Sequence, residues 1–350
     1  LTVINFPTPS YQKEYFWEIE KFASPDSWEL FGGDSGTSIY MIRATRSAAV
    51  NSNYAATGII HVGNYDSNVS ATITGVTAEL SDGTPTIVGC SVGFPFILNP
   101  GNNILCAFSA PLADGMTRVI TSTVTTSGEV TGASDSDTID FSLVNPSIVN
   151  GNATIRDTNG KSWIFSGGSA VTYEKTFRCN SDEGSHENTA TILQTGQSST
   201  ETVNVKCHNL KIQEISETSY RRGHKWNIQK EADVYRLILP KNVSYPIKYE
   251  ITAFADGAVD SGWQIGGEVS ILNPHPARSA EIAEISDNLS EDGSVDIDCG
   301  NLASIPAGNS AICRYQKHLS SGNAQINIAK AMLRNFNFHP RKEPVALGST

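Results

Sequence analysis

The chain repeats part of its own sequence at a constant offset of 209 residues, and this repeat limits the folds open to it. The opening segment LTVINFPTPSYQKEYFWEIEK aligns without a gap with LKIQEISETSYRRGHKWNIQK, which begins at Leu210. Later positions keep the register, with Tyr40 over Tyr249 and Cys90 over Cys299. Self-similarity at one fixed offset indicates an internal duplication of a structural unit.

The residues shared by the two copies alternate along the chain, which predicts half-buried β-strands. The pattern is seen in Trp17/Ile19/Lys21 and in Tyr40/Ile42/Ala44. Turn-forming stretches such as GGDSG, LNPGNN and SDGT separate the alternating segments. Short strands with this punctuation predict an all-β protein made of tandem immunoglobulin-like β-sandwich domains.

The repeat and the segment between its copies predict four regions. Residues 1–10 form an N-terminal extension resembling a donor strand, and residues 11–141 form the first sandwich. Residues 142–209 form a small middle sandwich, and residues 210–350 form the second copy. About four or five strands fit in the middle segment, which is few for a closed sandwich, so we expect it to be incomplete.

The charge of the chain excludes some classes of partner. Its 350 residues carry 25 Lys and Arg against 36 Asp and Glu, a net charge of -11. Nucleic acid and anionic membrane surfaces both require a basic face. No stretch approaches the roughly 20 apolar residues of a membrane helix, so we expect no membrane insertion. A chain that begins with Leu1 is expected for a mature secreted protein, and equally for a fragment.

The six cysteines fall into three local pairs, Cys90/Cys106, Cys179/Cys207 and Cys299/Cys313. An even number at short spacings predicts three disulfides and an oxidising, extracellular compartment. The rival interpretation is a metal site, but the sequence has no CxxC motif and its histidines are scattered. The spacing favours disulfides.

No motif supports catalysis. Gly33-Asp34-Ser35-Gly36 matches the segment around the nucleophile of trypsin-like proteases, but that mechanism also needs a histidine base and an orienting aspartate. No segment resembles the motifs that supply them, so the glycines indicate a turn. We expect a protein that is not an enzyme, with no catalytic residue and no organic cofactor.

Acidic and glycosylation motifs give weaker predictions. Asp135, Asp137 and Asp140 offer the oxygen ligands that a structural Ca²⁺ prefers, but they do not match an EF-hand loop, and solvated loop charge is the alternative. Four N-x-[Ser/Thr] sequons are candidate glycosylation sites if the source has the machinery, Asn68, Asn152, Asn242 and Asn288.

Several motifs together resemble those of secreted bacterial immunoglobulin-like β-sandwich repeat proteins found in surface fibres and adhesins. They are Trp226-Asn-Ile228-Gln-Lys230, the run from Trp263 to Asn273-Pro274, the pair Cys299/Cys313 and Asn188-Thr-Ala-Thr191. The first copy departs from the pattern, because Tyr54 replaces the second tryptophan and Gly63-Asn64-Tyr65 replaces Leu-Asn-Pro. The resemblance covers most of the chain, and its motifs are structural.

The resemblance implies a structural protomer of an extracellular helical fibre or pilus-like filament, with identical subunits as partners. The alternative is a cell-surface adhesin or carbohydrate-binding module, which should show exposed aromatic residues on one face. Trp17 and Trp226 occupy strand positions typical of a core, and this favours the structural interpretation over the binding one.

The N-terminal strand is the predicted polymer link. Leu1, Val3, Ile4 and Phe6 form a β-prone apolar segment, and an unpaired strand of this kind is a liability in a monomer. It would bind a neighbour with an open sheet edge by donor-strand complementation. Addition of this kind gives helical filaments unless the rotation closes a ring. The alternative is that Leu1–Phe6 pairs within its own first sandwich.

Overall fold

The computed structural model of the protein describes residues 1–65 and 68–334, together with the backbone of 346–349. These residues form strands, turns and irregular segments, and none of them lies in a helix. The protein is therefore all-β, as the alternating sequence predicts. Disulfides join the cysteines in the pairs expected from their spacing, Cys90–Cys106, Cys179–Cys207 and Cys299–Cys313.

The strands are numbered in chain order. The first fourteen are β1 (Thr2–Glu14), β2 (Trp17–Ser24), β3 (Ser27–Phe31), β4 (Ser35–Arg46), β5 (Val50–Gly63), β6 (Ala71–Leu80), β7 (Ile87–Cys90), β8 (Phe96–Leu98), β9 (Asn103–Leu112), β10 (Arg118–Ser127), β11 (Ala133–Ile139), β12 (Ser147–Val149), β13 (Ala153–Asp157) and β14 (Ser162–Phe165). The others are β15 (Ser169–Arg178), β16 (Gly184–Ile192), β17 (Ser198–His208), β18 (Lys211–Ala232), β19 (Tyr249–Leu272), β20 (Ala280–Leu289), β21 (Gly293–Val295), β22 (Ile297–Asp298), β23 (Ser304–Ile305), β24 (Ser310–His318), β25 (Asn327–Leu333) and β26 (Ala346–Ser349).

The chain divides into two compact units. Unit 1 contains Leu1–Phe22, Tyr40–Tyr173 and Asn188–Glu201. Unit 2 contains Ala23–Ile39, Glu174–Glu187 and Thr202–Thr350. Strands β2, β4, β15, β16 and β17 run from one unit into the other along the chain.

Unit 1 contains a two-sheet core. One sheet has the strand order β12-β1-β5-β9-β7, and the other has the order β11-β10-β6-β8. Alternate side chains of both sheets meet in one hydrophobic cluster, where Ile60, Ile73 and Ile120 are fully buried. β-branched residues suit these positions because they pack well on a pleated, half-buried surface.

Unit 2 contains a second two-sheet core. Its sheets have the orders β18-β19-β24-β22 and β21-β20-β25-β26, and β23 pairs with β20. Val269 and Ile271 of β19 pack in one cluster with Ala280 of β20 and Ala331 of β25. The same period-two pattern therefore builds a core in both units.

Two further sheets combine strands from residues 17–46 with strands from residues 153–208. Their orders are β14-β13-β16-β17-β3 and β15-β4-β2. The structure thus divides the chain differently from the four regions expected from the sequence. Strands β2, β3 and β4 belong to sheets with the middle segment. In the chain, however, they lie between β1 and β5, which are neighbouring strands of the first core. Alternation identifies a half-buried strand, but it does not identify the sheet that the strand joins.

Each two-sheet core has a buried asparagine at one corner, and the two asparagines are 209 positions apart. The Nδ2 of Asn64 donates to the carbonyl oxygens of Val69 and Leu98, at 3.0 and 2.9 Å. The Nδ2 of Asn273 donates to the carbonyl oxygens of Arg278 and Ile305, both at 2.9 Å. Both corners are closed by the same pair of interactions.

A stacked aromatic pair also occurs in each unit at matching positions. The rings of Tyr11 and Tyr54 lie 5.2 Å apart, and those of Tyr220 and Trp263 lie 4.6 Å apart. A glycine faces each pair, because a Cβ at Gly115 would lie 2.7 Å from the Tyr54 ring and one at Gly322 would lie 2.6 Å from the Trp263 ring. A larger residue at either glycine would displace the ring.

Candidate functional site

A long β-hairpin in unit 2 is the candidate functional site. It comprises residues 216–262, which we call the arm: the outer part of β18, a tip over residues 233–248 and the outer part of β19. No residue from 211 to 264 is buried. The paired part, from Ser216 to Ala232, is roughly 50 Å long at the rise of a strand. The arm is therefore a two-stranded ribbon open to solvent on both faces.

The arm is nevertheless amphipathic. In β18, Trp226, Ile228 and Lys230 share one face, and they pair with Ala255, Ala253 and Ile251 of β19. We call this the apolar face, and it consists of Trp226, Ile228, Lys230, Ala232, Tyr249, Ile251, Ala253 and Ala255. The other face is mainly polar, with Asn227, Gln229 and Glu231, and it carries one exposed aromatic residue, Phe254. Such a division is typical of a ribbon with one buried face.

The apolar face exposes its largest side chains. Trp226 is 66% exposed, Ile228 is 73% exposed and Ile251 is 63% exposed. The ammonium group of Lys230 lies 4.4 Å from the centre of the Tyr249 ring, a cation–π contact. Large exposed apolar surfaces with a polar margin mark interaction sites.

The residues 209 positions earlier have the opposite environment. We call Trp17, Ile19, Lys21, Tyr40, Ile42 and Ala44 the covered face. Trp17 is 1% exposed, and Tyr40 and Ile42 are fully buried. The Nε1 of Trp17 donates to the carbonyl oxygen of Asn150 at 2.7 Å, and the Tyr40 ring stacks on Tyr173 at 5.3 Å. Asn150 and Tyr173, both in unit 1, thus supply part of the cover.

A buried ion pair lies at the centre of the covered face. Lys21 forms a salt bridge with Asp157 of β13, and both side chains are fully buried. The Lys21 Nζ also donates to the Tyr173 hydroxyl at 3.1 Å, and that hydroxyl donates to Asp157 at 2.9 Å. Burial lowers the pKa of Lys21, although Asp157 opposes the shift. Burial raises the pKa of Tyr173.

The N-terminal strand is paired inside its own sheet. Strand β1 runs antiparallel to β5, from Thr2 opposite Gly63 to Glu14 opposite Val50. Of the residues predicted to link subunits, Val3 is buried in the unit 1 core and Leu1 packs against it, whereas Ile4 and Phe6 are 40% and 54% exposed. This is the arrangement that the sequence left as the alternative. As a donor, the strand would have to leave β5.

The three aspartates considered for calcium are engaged separately. Asp135 accepts a hydrogen bond from the backbone N–H of Asn5 at 2.8 Å. Asp137 accepts from the N–H of Thr138, and Asp140 accepts from the N–H and hydroxyl of Ser142. Within the described residues, no group of three or more His, Cys, Asp or Glu is arranged to hold a metal ion.

The four sequons lie at exposed asparagines. Asn68 and Asn152 are in connections, Asn288 is on β20, and Asn242 is at the tip of the arm with a positive φ of 69°.

The protease-like segment forms a turn in unit 2, where the N–H of Asp34 donates to the Phe31 carbonyl at 2.9 Å. The buried Asp34 carboxylate pairs with Arg278 at 2.8 Å.

No protein-family model matches the chain, and no curated protein matches it significantly. The part of the chain that the structure describes contains no helix long and apolar enough to cross a membrane.

Sequence reasoning missed the arm because it treated Trp226 as a core residue, like Trp17. The alternation is the same at both positions, but Trp226 is exposed. A signal was nevertheless present in the sequence. The Trp-x-Ile-x-Lys strand occurs twice, whereas the segment 142–209 occurs once. Two such strands and one middle segment indicate that, within these residues, one of the two faces lacks a cover.

Proposed function

We propose that this protein is a structural protomer of an extracellular fibre or pilus-like filament, in which the arm connects subunits. The observation that carries the proposal is the exposed apolar face of the arm. A solvent-exposed ribbon with large apolar residues on one face promotes association. The three disulfides fit an oxidising, extracellular setting.

The same proposal includes a duplicated, immunoglobulin-like architecture. The paired corners at Asn64 and Asn273 and the stacked rings facing Gly115 and Gly322 support it, because each recurs at a nearly constant offset. A duplicated chain offers repeated surfaces, and repeated surfaces suit a polymer.

Shortening the arm tests the function. Residues 223–259 are replaced by Asn-Gly, a favoured two-residue hairpin turn, next to the retained Arg222–Asp260 pair, whose atoms lie 2.7 Å apart. Because no residue of the arm is buried, this variant should fold. Electron microscopy of the wild-type protein should show filaments, and the variant should remain monomeric. Filaments of normal length from the shortened protein would refute the proposal.

Deletion of residues 1–7 separates the arm from the N-terminal strand as the link. Loss of the segment removes Val3 from the core, so we expect reduced stability. If a folded protein without residues 1–7 no longer polymerises while the arm-shortened variant still does, the link is the N-terminal strand and the arm is not the connection.

A second candidate function is a carbohydrate-binding adhesin. The observation in its favour is the set of exposed aromatic residues on and beside the arm, since rings of this kind can stack on sugars. Trp226 is 66% exposed, Tyr249 is 58% exposed and Tyr235 is 85% exposed. Three results together would favour this function. The wild-type monomer would bind soluble polysaccharides, the arm-shortened variant would not, and the wild-type protein would form no filaments.

A further inference from the structure

We infer that the apolar face of the arm docks onto a polypeptide segment with the chemistry of residues 147–208, which supplies an acidic side chain to Lys230. The inference deepens the proposed function and rests on it, because it names the partner of the same arm. The occupant is a β-strand segment of that chemistry, additional to residues 147–208 themselves.

The chain already shows what covers such a face. Trp17, Lys21 and Tyr40 stand where Trp226, Lys230 and Tyr249 stand 209 positions later. The earlier three are almost completely buried by residues of the middle segment. Asn150 accepts from the Trp17 indole, and the Ser199 hydroxyl accepts from the Lys21 N–H at 3.0 Å. A face of the same residue types therefore fits a segment of the same type.

The charge of Lys230 indicates what the partner must supply. Burial of an ammonium group without a partner is costly, and Lys21 is buried only together with Asp157. Docking of the apolar face would desolvate Lys230 in the same way. Lys230 already lies over the Tyr249 ring, much as Lys21 lies 5.3 Å from the centre of the Tyr40 ring. The arm thus holds its cation in place, and the partner must supply the carboxylate.

The faces of this type outnumber the segments that could cover them. The described residues contain two faces of this type and one segment of the 147–208 type. That segment already covers Trp17 and Lys21. If it moved onto the arm, it would leave Trp17 and Lys21 exposed. Covering the arm as well requires a further segment of the same chemistry.

The test uses a defined probe. A fluorescently labelled polypeptide of residues 147–208, with its Cys179–Cys207 disulfide formed, is titrated against the full-length protein. Fluorescence anisotropy should report binding, and the arm-shortened protein should not bind. Lys230→Met should weaken binding at least about a hundredfold, because the probe's Asp157 is then buried without a partner. The probe with Asp157→Asn should lose a similar factor against the wild-type protein.

Two controls make the result specific. Lys225→Met removes a cation on the opposite face of the arm, by strand alternation, and should change the affinity less than about twofold. Lys230→Met combined with the Asp157→Leu probe should recover part of the loss, because an apolar pair can replace a buried ion pair.

A tethered form removes any dependence on probe solubility. The segment 147–208 is fused after Thr350 through a flexible Gly/Ser linker, which raises its effective concentration. The Trp226 emission should shift to shorter wavelength and the amides of the arm should exchange more slowly with deuterium. Both changes should disappear with Lys230→Met.

The outcomes separate this inference from the proposed function. Equal binding by wild-type and Lys230→Met proteins overturns the inference, even if arm shortening abolishes filaments and so supports the function. Failure of both the free and the tethered segment to engage the arm also overturns it, as does dimerisation of arms without the probe. Binding that depends on Lys230, in a protein that forms filaments without its arm, upholds the inference and refutes the function.

Discussion

Two faces of this chain share one residue pattern and have opposite environments. The covered face around Trp17 and Tyr40 is buried, whereas the apolar face around Trp226 and Tyr249 is exposed to solvent. Each face lies on two neighbouring strands, with the same alternation of residues and a lysine at its centre. The difference shows that an amphipathic pattern specifies a face to be buried but does not supply the surface that buries it.

The comparison also explains why the arm needs a partner. A two-stranded hairpin alone is marginally stable in water, and three or more strands or a packing surface are usually required. The covered face gains a core from Tyr173 and neighbouring residues, whereas the apolar face gains only the Lys230–Tyr249 contact. We therefore expect the strands of the arm to open more readily than those of the covered face until a partner packs on the arm.

The largest expected difference between the two faces comes from their tryptophans. Trp17→Ala should lower the free energy of unfolding by about 4 kcal/mol, because it opens a cavity in a packed core. Trp226→Ala should change it by about 0.5 kcal/mol or less in the monomer. Urea unfolding followed by circular dichroism measures both values. Equal losses would contradict the contrast between the faces.

The lysines give the next largest difference. Asp157→Ala leaves Lys21 buried without its partner and should cost about 3 kcal/mol. Lys230→Ala in the monomer should be nearly neutral, because that ammonium group is exposed. Hydrogen exchange of the β13 amides measures the first effect locally. A neutral Asp157→Ala would show that the ion pair does not hold the covered face.

Much of this fold could be predicted from sequence, but the site could not. Alternation identified the strands that contain Trp17, Ile42 and Val269, and cysteine spacing identified the disulfide pairs. Alternation could not show that Leu1–Phe6 pairs inside its own sheet, because a strand at an edge and a strand between two neighbours can share one pattern. Exposure of Trp226 depends on a missing cover, and one strand's residues carry no information about it.

Proteolysis should distinguish the arm from the strands of the covered face through their accessibility. The tip of the arm carries exposed Arg236, Lys241 and Lys248 in irregular backbone. Trypsin should cut there at least about tenfold faster than after Arg43, which lies within β4 and forms a salt bridge with Glu20. Mass spectrometry of early fragments identifies the sites. Protection of the tip in assembled material, but not in the monomer, would sharpen the contrast.

The smallest expected effect is a pH dependence that belongs to the second corner only. His275 follows Asn273, is 1% exposed and accepts hydrogen bonds at Nδ1 from the N–H groups of Ala277 and Arg278, at 3.1 and 3.0 Å. Its Nε2 lies 3.2 Å from the Glu29 carbonyl oxygen and donates to it, so the ring is held neutral.

Burial is the main cause that lowers the pKa of His275, and the nearby His208 and Arg278 act in the same direction, while Glu29 opposes them. Below the ordinary histidine pKa of about 6.5 the unfolded chain therefore binds a proton that the folded ring resists. The contribution of His275 to stability should be complete above that pH and should fall as the pH drops toward the lowered pKa.

His275→Gln should remove this part of the pH dependence, whereas the corner at Asn64 should be unaffected. Hydrogen exchange at the two corners between pH 7.5 and 5, values set by the roughly 6.5 midpoint, measures the difference. An equal loss of protection at both corners would show that His275 is not its source.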